Sequence, residues 1–367
     1  MGAAALILAA TPQTLAGRLL GWKPLVWVGL ISYSAYLWHQ PLLAFARIMA
    51  PDNHPPVPLM IALGMLSLVL AWFTWKFVEQ PFRNKTRFNR TWIFKVSAAG
   101  SAVVIVAGLA LVMSNGLLNV YSVPERAIVG KTNIEFSKYV VSDYNRLEGR
   151  SVDQNEDTVI IVGDSFSQDF FNMAKEAGGF SGYEKVTLYV PARCQIYYGK
   201  KFSDIEQNIN PGDREMCKSS IINAADVANI RKADVIIFAA RWEPWAAAMM
   251  GETLKAMQIP EESEVLVVGT KAFEKSRHVL LRIYRAQGPD SRSLPDEEFR
   301  ETNSLLKASV GDTPFVDILS GLCREGCPLF ADDGTPLSYD GAHLTESGAE
   351  LIGRYLFARP PLNQYML

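Results

Sequence analysis

The chain has 367 residues, enough for two domains of ordinary size, and a formal net charge of −2 that excludes a global electrostatic pull toward nucleic acid. Hydrophobic residues make up 49% of it and its mean hydropathy is +0.07, at the apolar end for a water-soluble protein. That average hides a split, because the first third is nearly all apolar with few acids and the remainder has the composition of a soluble domain. Of the 8 tryptophans, Trp22, Trp27, Trp38, Trp72, Trp75 and Trp92 fall in the first part, several near the ends of apolar runs. An indole ring suits a membrane interface at such positions.

In chain order, residues 2–10 form a short apolar run without a basic flank or a cleavage signal, and read as the tail of a further spanning helix. Three longer stretches, 25–50, 57–77 and 92–113, reach the roughly 20 apolar residues that a bilayer requires. The first is interrupted by His39 and Arg47, and the third carries Lys95 near one end, where its ammonium can snorkel to the interface. Lys76, Arg83, Lys85, Arg87 and Arg90 cluster between the second and third stretches, against Glu79 alone, while residues 51–56 hold no Lys or Arg. Arg18 and Lys23 precede the first stretch. The positive-inside rule therefore predicts a cytoplasmic basic loop, and everything after Asn115 then lies outside the cytoplasm.

The four cysteines, Cys194, Cys217, Cys323 and Cys327, all lie in that outer part. An even number in an oxidising compartment points to two disulfides, of which the local pairs Cys194–Cys217 and Cys323–Cys327 are the simplest of three arrangements; a zinc site is the alternative. Residues 116–157 are polar and weakly periodic, and read as a linker with one or two short helices packed on the next domain. From Thr158 strands and helices alternate. Strands are predicted at 158–162, 185–190, 234–239, 264–268 and 315–318, with helices at 167–177, 219–230, 244–257, 295–309 and 345–357. Such alternation implies a three-layer α/β/α domain with a parallel sheet, whose ligands bind at the carboxyl ends of the strands.

The first strand ends in Gly163-Asp164-Ser165. A serine there has a helix amino terminus beside it, whose unpaired N–H groups and partial positive charge stabilise an oxyanion. Gly163 permits a tight turn, and Asp164 caps the helix or holds the loop; by itself the tripeptide is equally a plain N-cap. Near the other end stands Asp340-Gly-Ala-His343-Leu344. A serine hydroxyl needs a base to take its proton, and the base needs a carboxylate to orient its other nitrogen. A residue spacing of three on a loop before a helix lets Asp340 and His343 serve one pocket as that pair. The long polar stretches 195–215 and 286–296 are expected to wall the cleft.

Gly163-Asp164-Ser165 and Asp340-Gly-Ala-His343-Leu344 resemble the first and last blocks of the SGNH hydrolase superfamily. Gly29-Leu-Ile-Ser32-Tyr33-Ser34-Ala-Tyr36-Leu-Trp38-His39-Gln-Pro41 and Phe77-Val-Glu79-Gln-Pro81-Phe82-Arg83 resemble the end of the acyltransferase-3 membrane family. The resemblance implies a partial acyltransferase-3 region at 1–115, a linker at 116–157 and a periplasmic SGNH-like domain at 158–367, held in a bacterial inner membrane. It further implies an O-acyltransferase that moves an acyl group, most plausibly acetyl, onto an envelope polysaccharide such as a lipopolysaccharide. Its partners would be an acyl donor (acetyl-CoA or similar, through the membrane region), the polysaccharide and membrane lipid, with no nucleic acid and no cofactor. Ser165 would be the nucleophile, His343 the base and Asp340 its orienting acid. A membrane-tethered carbohydrate esterase and an inactive partner of a separate acyltransferase are the alternatives. The family's early membrane motifs are not in this sequence, so a fragment, a mis-assigned start and one half of a split system remain open.

The sequence also departs from the SGNH pattern. Phe238-Ala-Ala-Arg241-Trp242 stands where an oxyanion-hole Asn is expected, and Pro191-Ala-Arg193-Cys194 where the family has a block-two glycine. Arg241 would offer donors to an oxyanion or a sugar, and Trp242 a flat face for stacking; a salt-bridged Arg and a core Trp are the alternatives. His39 is assigned a structural or gating role, and Glu79 with Pro81 a helix stop.

Overall fold

The computed structural model describes residues 11, 13–50, 54–83, 88–273 and 277–366. The apolar run 2–10, and Lys85 and Arg87 of the basic loop, lie outside these residues. The chain divides into two compact units, Met1–Leu117 and Leu118–Leu367.

The first unit is helical, with long helices α1 (Lys23–Met49), α2 (Val57–Thr74) and α3 (Arg90–Met113). Small residues bring α1 and α2 together: Ser34 on one and Ser67 and Ala71 on the other are buried, beside Ile31. Trp38 Nε1 donates to Thr74 Oγ1 across the pair at 2.8 Å. The expected stop at Pro81 does not occur. A wide i→i+5 turn over Trp75–Glu79 leads into a further turn, Gln80–Arg83. In regular α geometry the Pro81 ring would press on the carbonyl four residues back, and the wider turn just before it gives that ring room. Two helices, Val57–Arg83 and Arg90–Met113, are long and apolar enough to cross a membrane. The first predicted span, α1, does not reach that standard despite its 27 residues, because Lys23, His39, Gln40 and Arg47 dilute it.

The second unit is a three-layer α/β/α domain. Strands β1 (Thr158–Gly163), β2 (Glu184–Tyr189), β3 (Val235–Ala239), β4 (Glu264–Val268) and β6 (Phe315–Val316) form a parallel sheet in the order β2-β1-β3-β4-β6. The remaining strands β5 (Arg292–Ser293) and β7 (Cys327–Pro328) pair antiparallel, a small ribbon that the sequence did not announce. Period-two alternation divides the core. Val159, Ile161 and Ile237 face one layer, and Ile160, Val162, Ile236 and Phe238 the other. The first layer is built on helices Ser165–Ala177 and Glu346–Phe357, through Phe170, Met173, Ile352 and Phe357. The second is built on Ala224–Ile230, Pro244–Met257 and Glu297–Val310, through Val227, Met250 and Leu306.

Residues 116–157 contain more structure than a connector. Helix α4 (Asn133–Leu147) begins at a capping box, Thr132 with Glu135, and buries Phe136, Val140 and Tyr144. The Tyr144 hydroxyl, fully buried, donates to the carbonyl of Ile161 in β1 at 3.1 Å, and Thr187 Oγ1 of β2 donates to the Tyr144 carbonyl at 3.0 Å. The helix is thereby fastened to the strand that carries the nucleophile motif. Both local disulfides, Cys194–Cys217 and Cys323–Cys327, are formed.

Candidate active site

Chain order turns back between β1 and β3, so a crevice opens at the carboxyl end of β1. Ser165 starts the helix Ser165–Ala177 at that point, α5 hereafter. Gly163 is required there: its φ is +152°, and a Cβ would lie 1.8 Å from the carbonyl oxygen of Ala239. Asp164 both caps the helix and holds the loop. One carboxylate oxygen accepts from Phe166 N at 2.8 Å and the other from Arg241 N at 2.9 Å. Burial pushes this carboxyl up to about 6, against the pull of those two N–H groups and the positive charge of Lys271.

Asp340 and His343 arrive from the loop before α6 (Glu346–Phe357), His343 being 178 residues from Ser165 in the chain. The loop is a tight one. Ser338 Oγ donates to the His343 carbonyl at 2.7 Å and accepts from Gly341 N at 2.8 Å, and the Thr345 side chain caps α6. Asp340 Oδ1 accepts from the N–H groups of Ala342 (2.9 Å) and His343 (2.8 Å), and Oδ2 lies 2.7 Å from His343 Nδ1. A carboxylate only accepts, so Nδ1 carries the proton and Nε2 presents its lone pair. That Nε2 is 2.8 Å from Ser165 Oγ. Burial pushes the Asp340 carboxyl up, but the His343 ring and the two N–H groups outweigh it and hold it below the ordinary carboxylate range. Tyr339 stacks on the His343 ring (5.9 Å between centroids, 22°), which fixes the imidazole plane.

A second anchor was not singled out in the sequence. Lys271, just past β4, is buried with Asp169 of α5, and their Nζ and Oδ2 are 2.6 Å apart. Asp169 Oδ1 accepts from Leu344 N at 3.0 Å, and Lys271 also donates to the Ala342 carbonyl. Its ammonium lies 3.8 Å from the centre of the Phe166 ring. One ion pair therefore joins the serine helix to the histidine loop. A charged pair in the interior is rare enough to mark a site, but nothing in the local sequence around Asp169 or Lys271 pairs residues 102 apart.

Residues 134–357, well over half of the chain, match the family model described as the SGNH domain fused to AT3 domains. The chain belongs to that family. Among relatives, O-acetyltransferase OatA of Staphylococcus aureus (strain NCTC 8325 / PS 47) is 35% identical over 78 residues, 21% of this chain and 13% of that protein. Peptidoglycan O-acetyltransferase OatA of Listeria monocytogenes is 27% identical over 135 residues, 34% of this chain and 22% of that protein. The chain thus spans only a small part of the length of these relatives. The periplasmic domain of a lipopolysaccharide acetyltransferase of Salmonella ser. Paratyphi A aligns with 63% of this chain and 98% of its own, at 14% identity and a TM-score of 0.46.

Within the SGNH domain two expectations about the rim are corrected. Trp242 offers no face to a sugar: it is buried, and its Nε1 donates to the Val268 carbonyl at 2.8 Å, so its ring serves the core. Arg241 is exposed, with its guanidinium carbon 6.0 Å from the centre of the Phe299 ring, outside the cavity that holds Ser165. What reaches the site from this segment is backbone, the Arg241 N–H on Asp164. The cavity is walled by α4 and not by residues 195–215 or 286–296. Val140, Val141, Asn145 and Glu148 stand there with Gln168, Tyr189, Ser165 and His343. Residues 293–296 instead line a separate hollow with Phe273 and Phe299.

In the first unit, His39 and Glu79 are not joined. His39 Nδ1 donates to the carbonyl of Tyr36 in its own helix at 2.9 Å. Glu79 accepts from Ser34 Oγ of α1 at 3.3 Å and pairs with Arg83 at 2.5 Å, so its carboxylate ties the helix pair together.

Proposed function

We propose that the chain is an O-acyltransferase of the cell envelope, moving an acetyl group onto a polysaccharide hydroxyl through an acyl-enzyme on Ser165. The observation that carries this reading is the unbroken hydrogen-bonded line Ser165 Oγ–His343–Asp340, with links of 2.8 and 2.7 Å, in an SGNH domain of the AT3-fused family. The two OatA relatives, both named as O-acetyltransferases, support it.

In the first half-reaction, Ser165 Oγ gives its proton to His343 Nε2 and bonds to the acyl carbon of an ester or thioester donor. The donor's leaving group departs with that proton. In the second, the sugar hydroxyl gives its proton to His343 and attacks the acyl-serine, and Ser165 Oγ takes the proton back. Asp340 remains ionised throughout and stabilises the imidazolium. The Ser165 N–H, which has no intrahelical acceptor in the first turn, and the amino end of α5 favour the oxyanion.

Residues 1–115 belong, in this reading, to the acyltransferase-3 membrane part of such a fusion. The basic residues Lys76, Arg83 and Arg90 are cytoplasmic, and the SGNH domain is periplasmic and held at a bacterial inner membrane. The membrane part hands the acyl group across from a cytoplasmic donor such as acetyl-CoA. The two disulfides support an oxidising compartment.

Ser165→Ala should cut acetyl transfer by about 10³-fold or more, since the remaining donors cannot replace the nucleophile. The measurement is ester-linked acetate on the envelope polysaccharide of cells carrying either form. Unchanged acetate would remove Ser165 from the reaction. Release of free acetate with no acetylated sugar, in a purified assay with and without acceptor, would make the enzyme an esterase.

A further inference from the structure

The cavity beside Ser165 has a volume of about 370 Å³, within the range of small-molecule sites, roughly 300–1,000 Å³. Its chemistry is specific. Tyr189 ends β2 in register with Gly163 of the nucleophile motif, and is 36% exposed. Gln168 lies one helical turn beyond Ser165 on α5, on the same face, and is only 4% exposed. Its Nε2 donates to Asn145 Oδ1 at 3.1 Å, which leaves Gln168 Oε1 as an acceptor and Asn145 Nδ2 as a donor, with no other partner for either among the described residues. Glu148 bridges to Thr187 of β2 at the end of α4. Among the described residues it is the one Asp, Glu, Lys or Arg on the wall, and it forms no ion pair.

We propose that this cavity is the acceptor subsite and that it selects an uncharged sugar, with Tyr189 as its stacking face, the Gln168–Asn145 pair as its hydroxyl reader and Glu148 as the group that excludes acidic sugars. The inference rests on the acetyl-transfer reading and narrows it from polysaccharide to neutral glycan. An amide pair that leaves an acceptor atom, Gln168 Oε1, and a donor atom, Asn145 Nδ2, unused matches a hydroxyl, which both gives and accepts hydrogen bonds. A uronic acid or phosphorylated sugar would meet no Lys or Arg on this wall and would set its own anion against Glu148. Glu148 is exposed at the mouth of the cavity, so that repulsion is screened by salt and is strongest at low ionic strength. An unanswered carboxylate is also costly to desolvate, so selectivity comes from rejection as much as from fit.

The test uses the full chain in detergent micelles, p-nitrophenyl acetate as acyl donor, and two acceptors of similar length, a chito-oligosaccharide and an oligogalacturonate. Acetylated products are counted by mass spectrometry. The neutral acceptor should be favoured by about tenfold or more, the equivalent of ~1.4 kcal/mol. Glu148→Lys should bring the product ratio close to parity, and Glu148→Gln to a value between. Tyr189→Ala should raise the KM for the neutral acceptor several-fold more than it changes kcat. Equal acetylation of the two acceptors by the natural chain would overturn the proposal and leave the transferase reading standing. So would a ratio that neither Glu148 variant moves. Hydrolysis of the donor with neither acceptor acetylated would overturn both readings together.

Discussion

Strand β3 and helix α3 are made of the same kinds of residue and end in opposite situations. Val235-Ile-Ile-Phe-Ala239 is buried to within 3% at every position, whereas Val103, Val104, Ile105 and Val106 of α3 are each exposed by 59% or more and no residue of α3 is buried. The difference is length. A run of five apolar residues bounded by turns completes its hydrogen bonds in a sheet and hides both faces under helices. A run of 24 that satisfies its backbone internally as a helix keeps its side chains turned outward, and each Å² of them would cost about 25 cal/mol in water. Apolar content alone therefore says little about burial, and the length of each uninterrupted run says much.

That contrast predicts its largest effect in solution behaviour. Residues 118–367 produced alone should be monodisperse in plain buffer, and the full chain should aggregate unless detergent is present. Light scattering after size exclusion measures both, and a monodisperse full chain without detergent would end the membrane assignment of α2 and α3.

A smaller effect lies inside the second unit, where burial extends to charge. Removing one member of the Lys271–Asp169 pair leaves the other as an uncompensated buried ion, so Lys271→Met should lower stability by about 3–5 kcal/mol. Replacing both, as Lys271→Met with Asp169→Leu, should recover part of that loss. Denaturant unfolding of the domain measures this. A single variant that costs no more than an exposed ion pair would show that the pair does not hold the histidine loop to the serine helix.

The smallest effect separates the two carboxylates of the site by the sign of their pH dependence. Asp164 ionises at about 6 in the folded chain, above the unfolded value of roughly 3.9. Between those two values the folded state binds the extra proton, so this group's contribution to stability falls as pH rises from about 4 to about 6. Asp340 is depressed, so its contribution is present above the unfolded value and is lost as pH falls through the lower folded one. Asp164→Asn should remove the first slope and leave the second. Unfolding midpoints at several pH values between 3 and 7 would show it, and an identical slope in the variant would mean that Asp164 is not the titrating group.

Much of the fold was legible because its signals are local. The strand over 264–268 was predicted to the residue, and the helix over 244–257 likewise, since β-branched runs and apolar periodicity need no partner to be recognised. Gly163 was legible as a turn glycine, and Ser165, Asp340 and His343 by residue type and spacing. Helix α4 carries a continuous apolar stripe, Phe136, Val140 and Tyr144 at a spacing of four, but nothing local says that this stripe packs on β1 and β2 beside the site. For Trp242 the sequence leaves two roles open, since an indole after a strand serves a core or a sugar equally well, and its burial and its bond to the Val268 carbonyl decide for the core. The Lys271–Asp169 pair had no sequence signal, being made across 102 residues.

The sequence by itself determined a division into an apolar helical part and an α/β part, the order of strands and helices along the second, and three residues able to act as nucleophile, base and orienting acid. Each of these rests on chemistry confined to a few neighbouring residues. Tertiary structure decided that Ser165 and His343 meet at 2.8 Å, that α4 rather than the long polar loops walls the cavity, and that a buried ion pair holds the two halves of the site together. Those outcomes depend on which distant surfaces pack against each other. That choice is set by the summed burial of the whole domain, and no single stretch of the chain contains it.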